Sequence, residues 1–516
     1  MGRFARLSGF IVLAFFAGPL VRDVSGAAYR SGAGPDPFAS ARLRIARILK
    51  ETAASGVAVA VAKDGKIVWE EGFGTTSRDG GTPVMPDTMF SLASLTKPLT
   101  ATALMVLVER GLVDLDKPAN GYLGPAKLTS LVEGARPATV RDLIYHVSGL
   151  PMHWHLFYAD KPRRAPLMDD SIRAYGILTG APGESYEYSN FGYGILGHIA
   201  ARAARKPYYA LMKEAVFDPL GMTRTMILTA PAAAENLAVK YDGAKKELPI
   251  SDFDHQGASS AYSSVRDLVR FAHFRMGRTA AGSKPILKKE TLEAMRTQSG
   301  SAFMDSGRRV RYLLGSFADI EFLGARFQTA TGGMPGAVSR LDIVPSENIV
   351  SAVLANSDGV DLWAIQHEIL AAFLPAFRDT PYSPPKAADP GAGKAFRPPA
   401  PLVGRWSGFI RTPRKDLPAA LVFAEDGGVR LEIDGKRNSP LPVKTELGDM
   451  NFTDGVFSGL FWGRIPTPDT AGQSHVVYVS VRLRGGTLTG SASAVSIDSR
   501  RTFCLPHGMV LTRSGS

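Results

Sequence analysis

Apolar and polar positions alternate in two short runs over residues 56–74, on either side of an Asp-Gly pair at 64–65. Alternation of this kind around Asp-Gly predicts a β-hairpin. The same pattern returns over 337–355, where a second hairpin is predicted, and strand-like runs occupy 310–330. These segments therefore predict antiparallel strands near both ends of one unit.

Between the hairpins the apolar positions have helical spacing. One such stretch begins directly after Ser94 and stops at Gly111, and others occupy much of 137–215 and 264–276. Hairpins at both ends of a helical middle predict an α/β fold, in which an antiparallel sheet is closed by the two chain ends and flanked by helices, with a helical subdomain. We assign residues 38–377 to this unit.

The pattern changes beyond it. Residues 378–400 are rich in Pro, Ala, Gly and Lys and have no apolar periodicity, so we interpret them as a linker. Over 401–516, short alternating runs separated by Gly and Asp return, which predicts an all-β, barrel-like domain.

The composition is that of a soluble globular protein. Of 516 residues, 45% are hydrophobic and 21% charged, which supports a large core. The net charge of +12 comes from scattered Lys and Arg without a basic helix or an aromatic platform, so we do not expect a nucleic-acid partner. The single cysteine, Cys504, excludes an internal disulfide and is predicted to be a buried structural thiol.

The first 28 residues predict a secretory signal peptide. Arg3 and Arg6 precede an apolar run over 10–21, and small residues follow at 25–28. The run is too short to cross a bilayer comfortably. We therefore expect an exported protein, periplasmic or secreted, without a stable membrane span after cleavage; an uncleaved anchor is the alternative.

The candidate chemistry begins with Ser94 and Lys97. A serine hydroxyl is a weak nucleophile until a neighbour takes its proton. A lysine three residues later on a helix lies one turn away and, when desolvated, can act as that base. The same spacing recurs at Ser383 and Lys386, but two prolines between them rule out a helix there.

Two further motifs accompany this pair: Tyr188-Ser189-Asn190, and Thr331-Gly332-Gly333 after a strand-like run. Together, and in this order, they resemble the penicillin-recognising serine hydrolases, specifically the superfamily of class C β-lactamases, DD-peptidases and esterases. The resemblance covers about residues 40–375. It is specific for the fold and the nucleophile, and much less so for the substrate.

The resemblance implies a role for each residue. Ser94 would be acylated, Lys97 would accept its proton, and Tyr188 would complete the proton network. The substrate would be bound by Asn190 and by Thr331, Gly332 and Gly333, with the backbone N–H groups of Ser94 and Gly333 as the oxyanion hole. No cofactor is implied. We also expect no metal site, because His153 and His155 have zinc-like spacing but no evident third ligand.

One position departs from the family pattern. Ala330 stands where the third motif usually begins with Lys or His, a cation that helps to bind the carboxylate of β-lactams and D-amino acid peptides. Esterase-like members also lack it. Arg326, on the same strand face, is an alternative source of positive charge.

We therefore expect an exported serine hydrolase that cleaves small-molecule esters, amides or peptides through an acyl-enzyme on Ser94, like an esterase or a D-amino acid peptidase. The alternatives are a β-lactamase or DD-carboxypeptidase and, in another class, a non-catalytic binding protein with this fold. The C-terminal segment resembles lipocalin-like barrels, through the Gly-x-Trp pattern at 404–406. Its role and the oligomeric state are left open.

Overall fold

In the computed structural model, the described residues are 36–228, 235–278, 283–305, 308–384, 396–441, 450–498 and 500–514. The predicted signal peptide, 1–28, lies outside them, and so does the middle of the predicted linker. The helices are α1 (Ala39–Glu51), α2 (Thr96–Glu109), α3 (Val140–Ile144), α4 (Met168–Tyr175), α5 (Asn190–Ala204), α6 (Tyr208–Met212), α7 (Gln256–Ser259), α8 (Val265–Arg275), α9 (Lys289–Thr297), α10 (Leu362–Ala371) and α11 (Pro375–Asp379).

The described strands fall into two large sheets, a short three-stranded sheet and two pairs. In chain order they are β1 (Gly56–Lys63), β2 (Lys66–Gly74), β3 (Phe90–Ser91), β4 (Thr129–Ser130), β5 (Trp154–Tyr158), β6 (Ile177–Leu178), β7 (Thr225–Ile227), β8 (Lys240–Tyr241), β9 (Glu247–Leu248), β10 (Ser251–Phe253), β11 (Ala261–Ser263), β12 (Ser299–Asp305), β13 (Arg308–Leu313), β14 (Ala318–Phe322), β15 (Ala325–Met334), β16 (Ala337–Val344), β17 (Ile349–Ala355), β18 (Gly404–Arg411), β19 (Asp416–Phe423), β20 (Val429–Ile433), β21 (Lys436–Asn438), β22 (Asn451–Thr453), β23 (Val456–Phe461), β24 (His475–Arg484), β25 (Thr487–Ser496) and β26 (Phe503–Arg513).

The first sheet is antiparallel, with the strand order β12-β13-β14-β15-β16-β17-β1-β2. Both predicted hairpins are present, and the first turns at Asp64 and Gly65, whose φ angles of 53° and 83° are those of a tight hairpin turn. Because β1 pairs with β17 along its length, from Val57 opposite Ala355, the sheet is closed by the two ends of this unit as predicted.

Both faces of this sheet are covered, which explains why β1 is apolar throughout. Its valines at 57, 59 and 61 pack with α1 and α10, whereas its alanines at 58, 60 and 62 face the helical layer on the other side. In that layer α8 lies on β1 and β17, and α2, buried over 96–107, packs against α5 and α7. The small alanines leave room for α8, and residues 93–95, just before α2, lie against β15 and β16.

The C-terminal sheet is strand-rich and curled into a half-barrel, with the order β21-β20-β19-β18-β26-β25-β24-β23-β22. Trp406 of the Gly-x-Trp pattern is almost fully buried inside the curl. The two ends approach each other just beyond β21. There the Leu441 N–H donates to the Leu460 carbonyl at 2.8 Å, and the Trp462 N–H donates to the Ser439 carbonyl at 2.9 Å.

Strand pairing joins the C-terminal sheet to two short strands of the N-terminal unit. The start of β26 pairs with β5, with Cys504 opposite Trp154, and β5 in turn pairs with β10. An ion pair between Glu184 and Arg484 of β24 links the units nearby. Cys504 is buried, as predicted. Among the described helices, none is long and apolar enough to cross a membrane.

Candidate active site

Ser94 sits on a tight turn between β3 and α2. The preceding residue, Ala93, has a left-handed φ of 47°, a conformation that costs a non-glycine residue about 1–3 kcal/mol and persists only where its surroundings enforce it. Those surroundings include Thr96, whose hydroxyl donates to the Ala93 carbonyl at 2.7 Å and accepts from the Ala261 N–H at 3.0 Å. The turn therefore fixes the Ser94 side chain at the start of α2, where 7% of the residue is exposed.

Lys97 contacts three oxygen atoms. Its Nζ lies 2.9 Å from the Ser94 Oγ, 2.8 Å from the Asn190 Oδ1 and 3.2 Å from the Ala258 carbonyl. The residue is only 1% exposed, and burial holds the pKa of its amine well below the usual value. A neutral amine has two hydrogens and one lone pair. Since the two carbonyl oxygens can only accept, the lone pair of a neutral Lys97 faces the Ser94 hydroxyl.

Tyr188 approaches Ser94 from the other side. Its hydroxyl donates to the Ser94 Oγ at 3.0 Å. Burial raises the pKa of this phenol well above its usual value; nearby Tyr312 adds to the rise, and the bond to Ser94 opposes it. Tyr188 is therefore a protonated hydrogen-bond donor. The next residue, Ser189, caps α5 by accepting the Gly192 N–H at 3.2 Å, which fixes the backbone after Tyr188.

His146 holds the Tyr188 segment in place. Its carbonyl accepts the Glu187 N–H at 2.7 Å, and its Nδ1 accepts the Ser189 N–H at 3.1 Å. The imidazole ring lies against the Tyr188 ring, with centroids 4.4 Å apart. Because Nδ1 accepts, the ring proton is on Nε2, 3.3 Å from the Tyr312 hydroxyl. Through these contacts His146 fixes the loop that carries Tyr188.

The orientation of Asn190 follows from its partners. Its amide Nδ2 donates to the His153 carbonyl at 3.0 Å, which leaves Oδ1 to accept from Lys97. The sulfur of Met152 lies 3.9 Å from the same Nδ2. The amide therefore bridges Lys97 and the loop that leads into β5.

The end of β15 lies directly against the Ser94 turn at Gly332. A Cβ on Gly332 would be 2.0 Å from the Leu92 carbonyl oxygen and 2.9 Å from the Ser94 nitrogen, so only glycine fits. The Ser339 hydroxyl of β16 donates to the same Leu92 oxygen at 2.6 Å. A Cβ on Gly333 would meet open space. The predicted residues Ser94, Lys97, Tyr188, Asn190 and Gly332 thus converge, with Thr331 and Gly333 flanking Gly332 on the strand.

The comparison with known families decides the identity of this unit. The Beta-lactamase family model matches residues 42–371, more than half of the chain. The chain belongs to the beta-lactamase family. Together with its relatives, this makes it a serine hydrolase of that family.

Three similar proteins illustrate the range of the family. Esterase EstB of Burkholderia gladioli is 30% identical over 285 residues, 51% of this chain and 71% of the relative. The D-alanyl-D-alanine-carboxypeptidase/endopeptidase AmpH of Escherichia coli K12 is 29% identical over 222 residues, 42% of this chain and 56% of the relative. The octameric penicillin-binding protein homologue from Pyrococcus abyssi matches 92% of this chain and 99% of its own, with 21% identity and a TM-score of 0.56.

In this beta-lactamase-family site, Ala330 stands where the third motif usually begins with Lys or His, so this position carries no positive charge. Ala330 is buried in the core, 6% exposed. Arg326 does not replace the missing charge from its place on β15, because Asp319 binds it through Nε at 2.7 Å and Nη2 at 2.9 Å. Gln328, between them on that face, donates to the Arg296 carbonyl at 3.0 Å.

Two features of the site carried no signal in the sequence. Glu187 directly precedes Tyr188, and burial raises the pKa of its carboxyl to about 7, with Arg482 of β24 acting in the opposite direction. His153 lies in a buried group with Asp254 and His255 rather than with His155. The zinc-like spacing of His153 and His155 was therefore no guide to their partners, because Asp254 and His255 come from a segment that is distant in the chain.

Proposed function

We propose that the protein hydrolyses esters or amides through an acyl-enzyme on Ser94, with Lys97 as the general base. The observation that carries this proposal is the set of three contacts around the Lys97 amine. Two carbonyl acceptors use both hydrogens of the neutral amine, so its lone pair is directed at the Ser94 hydroxyl. Burial favours that neutral form at moderate pH.

In the proposed acylation, the Ser94 Oγ forms a bond to the substrate carbonyl carbon while the hydroxyl proton moves to Lys97. The N–H groups of Ser94 and Gly333 receive the oxyanion. As the bond to the leaving group breaks, that proton passes to the leaving oxygen or nitrogen through Tyr188. Water then attacks the acyl carbon and loses a proton to Lys97. As the bond from the acyl carbon to the Ser94 Oγ breaks, Lys97 returns that proton to Oγ, so the acid is released and both Ser94 and neutral Lys97 are restored. Asn190 holds the Lys97 amine in position beside Ser94 during both steps and also binds the substrate.

The substrate class follows from the charges around Ser94. With Ala330 at the third motif and Arg326 held by Asp319, we propose acyl substrates without a free carboxylate beside the scissile bond. The similarity to an enzyme named esterase supports this choice. The similarity to AmpH, named a carboxypeptidase and endopeptidase, favours a second candidate, a β-lactamase or DD-carboxypeptidase.

One experiment separates these functions. Purified protein and Ser94→Ala are treated with a fluorophosphonate probe, with a fluorescent penicillin and with short acyl esters. We expect Ser94-dependent fluorophosphonate labelling and ester turnover, with little penicillin labelling. Persistent penicillin labelling indicates the second candidate. Folded protein labelled by neither probe contradicts hydrolysis and leaves the non-catalytic binding protein.

We also propose that the protein is exported and that residues 1–28 are removed. N-terminal sequencing of the protein from its native host tests this directly.

The C-terminal sheet is proposed to close one side of the substrate cleft. It packs on the active-site loop, because Leu460, Cys504 and Tyr478 surround Met152 and Trp154, and Met152 contacts Asn190.

A further inference from the structure

Asp254 lies between two buried imidazoles beneath the active site. Its Oδ2 is 2.8 Å from the Nε2 of His153, and its Oδ1 is 2.6 Å from the Nδ1 of His255. All three residues are less than 5% exposed. Burial alone would raise the pKa of this carboxyl, but the contacts with the two imidazoles outweigh it and hold the pKa far below its usual range. The carboxylate therefore accepts one N–H from each ring.

Each histidine leads to one of the carbonyl oxygens that hold the Ser94 machinery. On one side, the His153 carbonyl accepts the Asn190 amide at 3.0 Å. On the other, the His255 carbonyl accepts the Ala258 N–H at 2.9 Å, and the Ala258 carbonyl lies 3.2 Å from the Lys97 Nζ. The two segments are about 100 residues apart in the chain, and Asp254 joins them across the fold.

The packing around His255 leaves little room for adjustment. A Cβ on Gly194 of α5 would lie 2.7 Å from the His255 Cα, and a Cβ on Gly257 would lie 2.3 Å from the Tyr193 carbonyl. α5 and α7 are thus in backbone contact, and α5 begins with Asn190. A change in the bridge at Asp254 therefore reaches both carbonyl oxygens.

We propose that Asp254 is a positioning residue, which clamps His153 and His255 so that the carbonyls of His153 and Ala258 orient Asn190 and Lys97 toward Ser94. The proposal rests on the proposed function of Ser94 and Lys97. Asp254 acts through hydrogen bonds only, and it takes no proton from the substrate. Without the clamp, the Lys97 lone pair is no longer aimed at the hydroxyl.

The same three side chains are a possible divalent-cation site, since one ligand atom from each lies within 4.8 Å of the others. The distances from the Asp254 oxygens to the His255 and His153 nitrogens, 2.6 and 2.8 Å, are those of ordinary hydrogen bonds and require no metal. Substitutions can distinguish a hydrogen-bonded cluster from a metal site. In His255→Asn or His153→Gln, the side-chain amide can donate a hydrogen bond where the imidazole N–H does. Carboxamides are far weaker ligands for zinc than imidazole.

The test measures the rate of Ser94 labelling by a fluorophosphonate, over a range of pH, in the full chain. For Asp254→Asn and His255→Phe we expect about 10- to 100-fold slower labelling and a shifted pH profile, because a displacement of about 1 Å costs up to about 100-fold in rate. His255→Asn should recover most of the rate lost in His255→Phe. The control is Asp267→Asn, which changes a buried carboxylate that accepts from Arg224 and Thr225 at the start of α8. We expect it to lower the Tm without shifting the pH profile.

Three outcomes overturn the clamp: an Asp254→Asn rate within twofold of the wild type, no recovery in His255→Asn relative to His255→Phe, or a stoichiometric metal ion in the purified protein that His255→Asn loses. If the wild type itself is not labelled, the proposed function fails instead, and the two failures are thereby distinguished. Thermal melts of every variant separate misfolded protein from misaligned protein.

Discussion

The contact between Gly332 and the Ser94 turn allows a quantitative prediction. In Gly332→Ala, the new Cβ would lie 2.0 Å from the Leu92 carbonyl oxygen, whereas Cβ contacts are essentially never shorter than 3.0 Å. Strand β15 and the turn must therefore separate by about 1 Å. The Leu92 oxygen cannot simply move away, because the Ser339 hydroxyl holds it at 2.6 Å.

This separation has a kinetic consequence. Gly333 follows Gly332 on the strand, so its N–H moves away from Ser94 by a similar amount. A displacement of about 1 Å costs about 100-fold in rate, and the overpacking costs about 1–3 kcal/mol of stability. In Gly333→Ala the added Cβ meets open space and the N–H is retained, so we expect a much smaller loss.

The assay compares both variants with the wild type by the rate of fluorophosphonate labelling of Ser94 and by thermal unfolding followed by circular dichroism. We expect Gly332→Ala to remain folded and to label about 100-fold more slowly. The reasoning is refuted if folded Gly332→Ala labels within threefold of the wild type. It is also refuted if Gly333→Ala loses as much rate as Gly332→Ala.

Three further predictions follow from burial. The labelling rate should rise with pH well below pH 10.5, the usual pKa of a lysine amine, because burial lowers the pKa of Lys97. Glu187→Gln should remove a component of this profile near pH 7, and an unchanged profile would show that titration of Glu187 does not influence Ser94. Unfolded Lys97 keeps its proton up to about pH 10.5, whereas the folded amine loses it at lower pH, so wild-type stability should rise with pH between these values. Lys97→Met should have a flatter stability curve and a higher Tm at neutral pH, and an equal or lower Tm argues against a desolvated amine. Cys504, whose pKa burial raises to about 12, should react with iodoacetamide only after unfolding; rapid alkylation of native protein contradicts the burial.

The elements that the sequence predicted well are those whose pattern is local. Alternation and an Asp-Gly turn define the first hairpin, and the apolar run after Ser94 defines α2. The pairing of β1 with β17 was also predictable, because hairpins at both ends of the helical region favoured closure by the chain ends. The curled C-terminal sheet follows from its many short alternating runs.

The missed features depend on contacts between distant segments. The pairing of β5 with β26 is made by backbone groups, which leave no mark on side-chain pattern. Asp254 has no motif that links it to His153, and only the fold brings them together. Burial raises the pKa of Glu187 and the charge of Arg482, about 300 residues later in the chain, opposes the rise, and periodicity reveals neither effect.

The absence of a cation at position 330 also bears on which group is the base. A Tyr188 phenolate would need a neighbouring positive charge. Ala330 supplies none, Lys97 supplies one only in its protonated form, and burial raises the pKa of Tyr188 well above its usual value. The Tyr188 hydroxyl accordingly donates to the Ser94 Oγ at 3.0 Å. The Ser94 proton then has one acceptor among its described contacts, the Lys97 amine at 2.9 Å. Within the proposed mechanism, Ala330 therefore bears on the proton as well as on the substrate: Lys97 takes the Ser94 proton, and Tyr188 returns one to the leaving group.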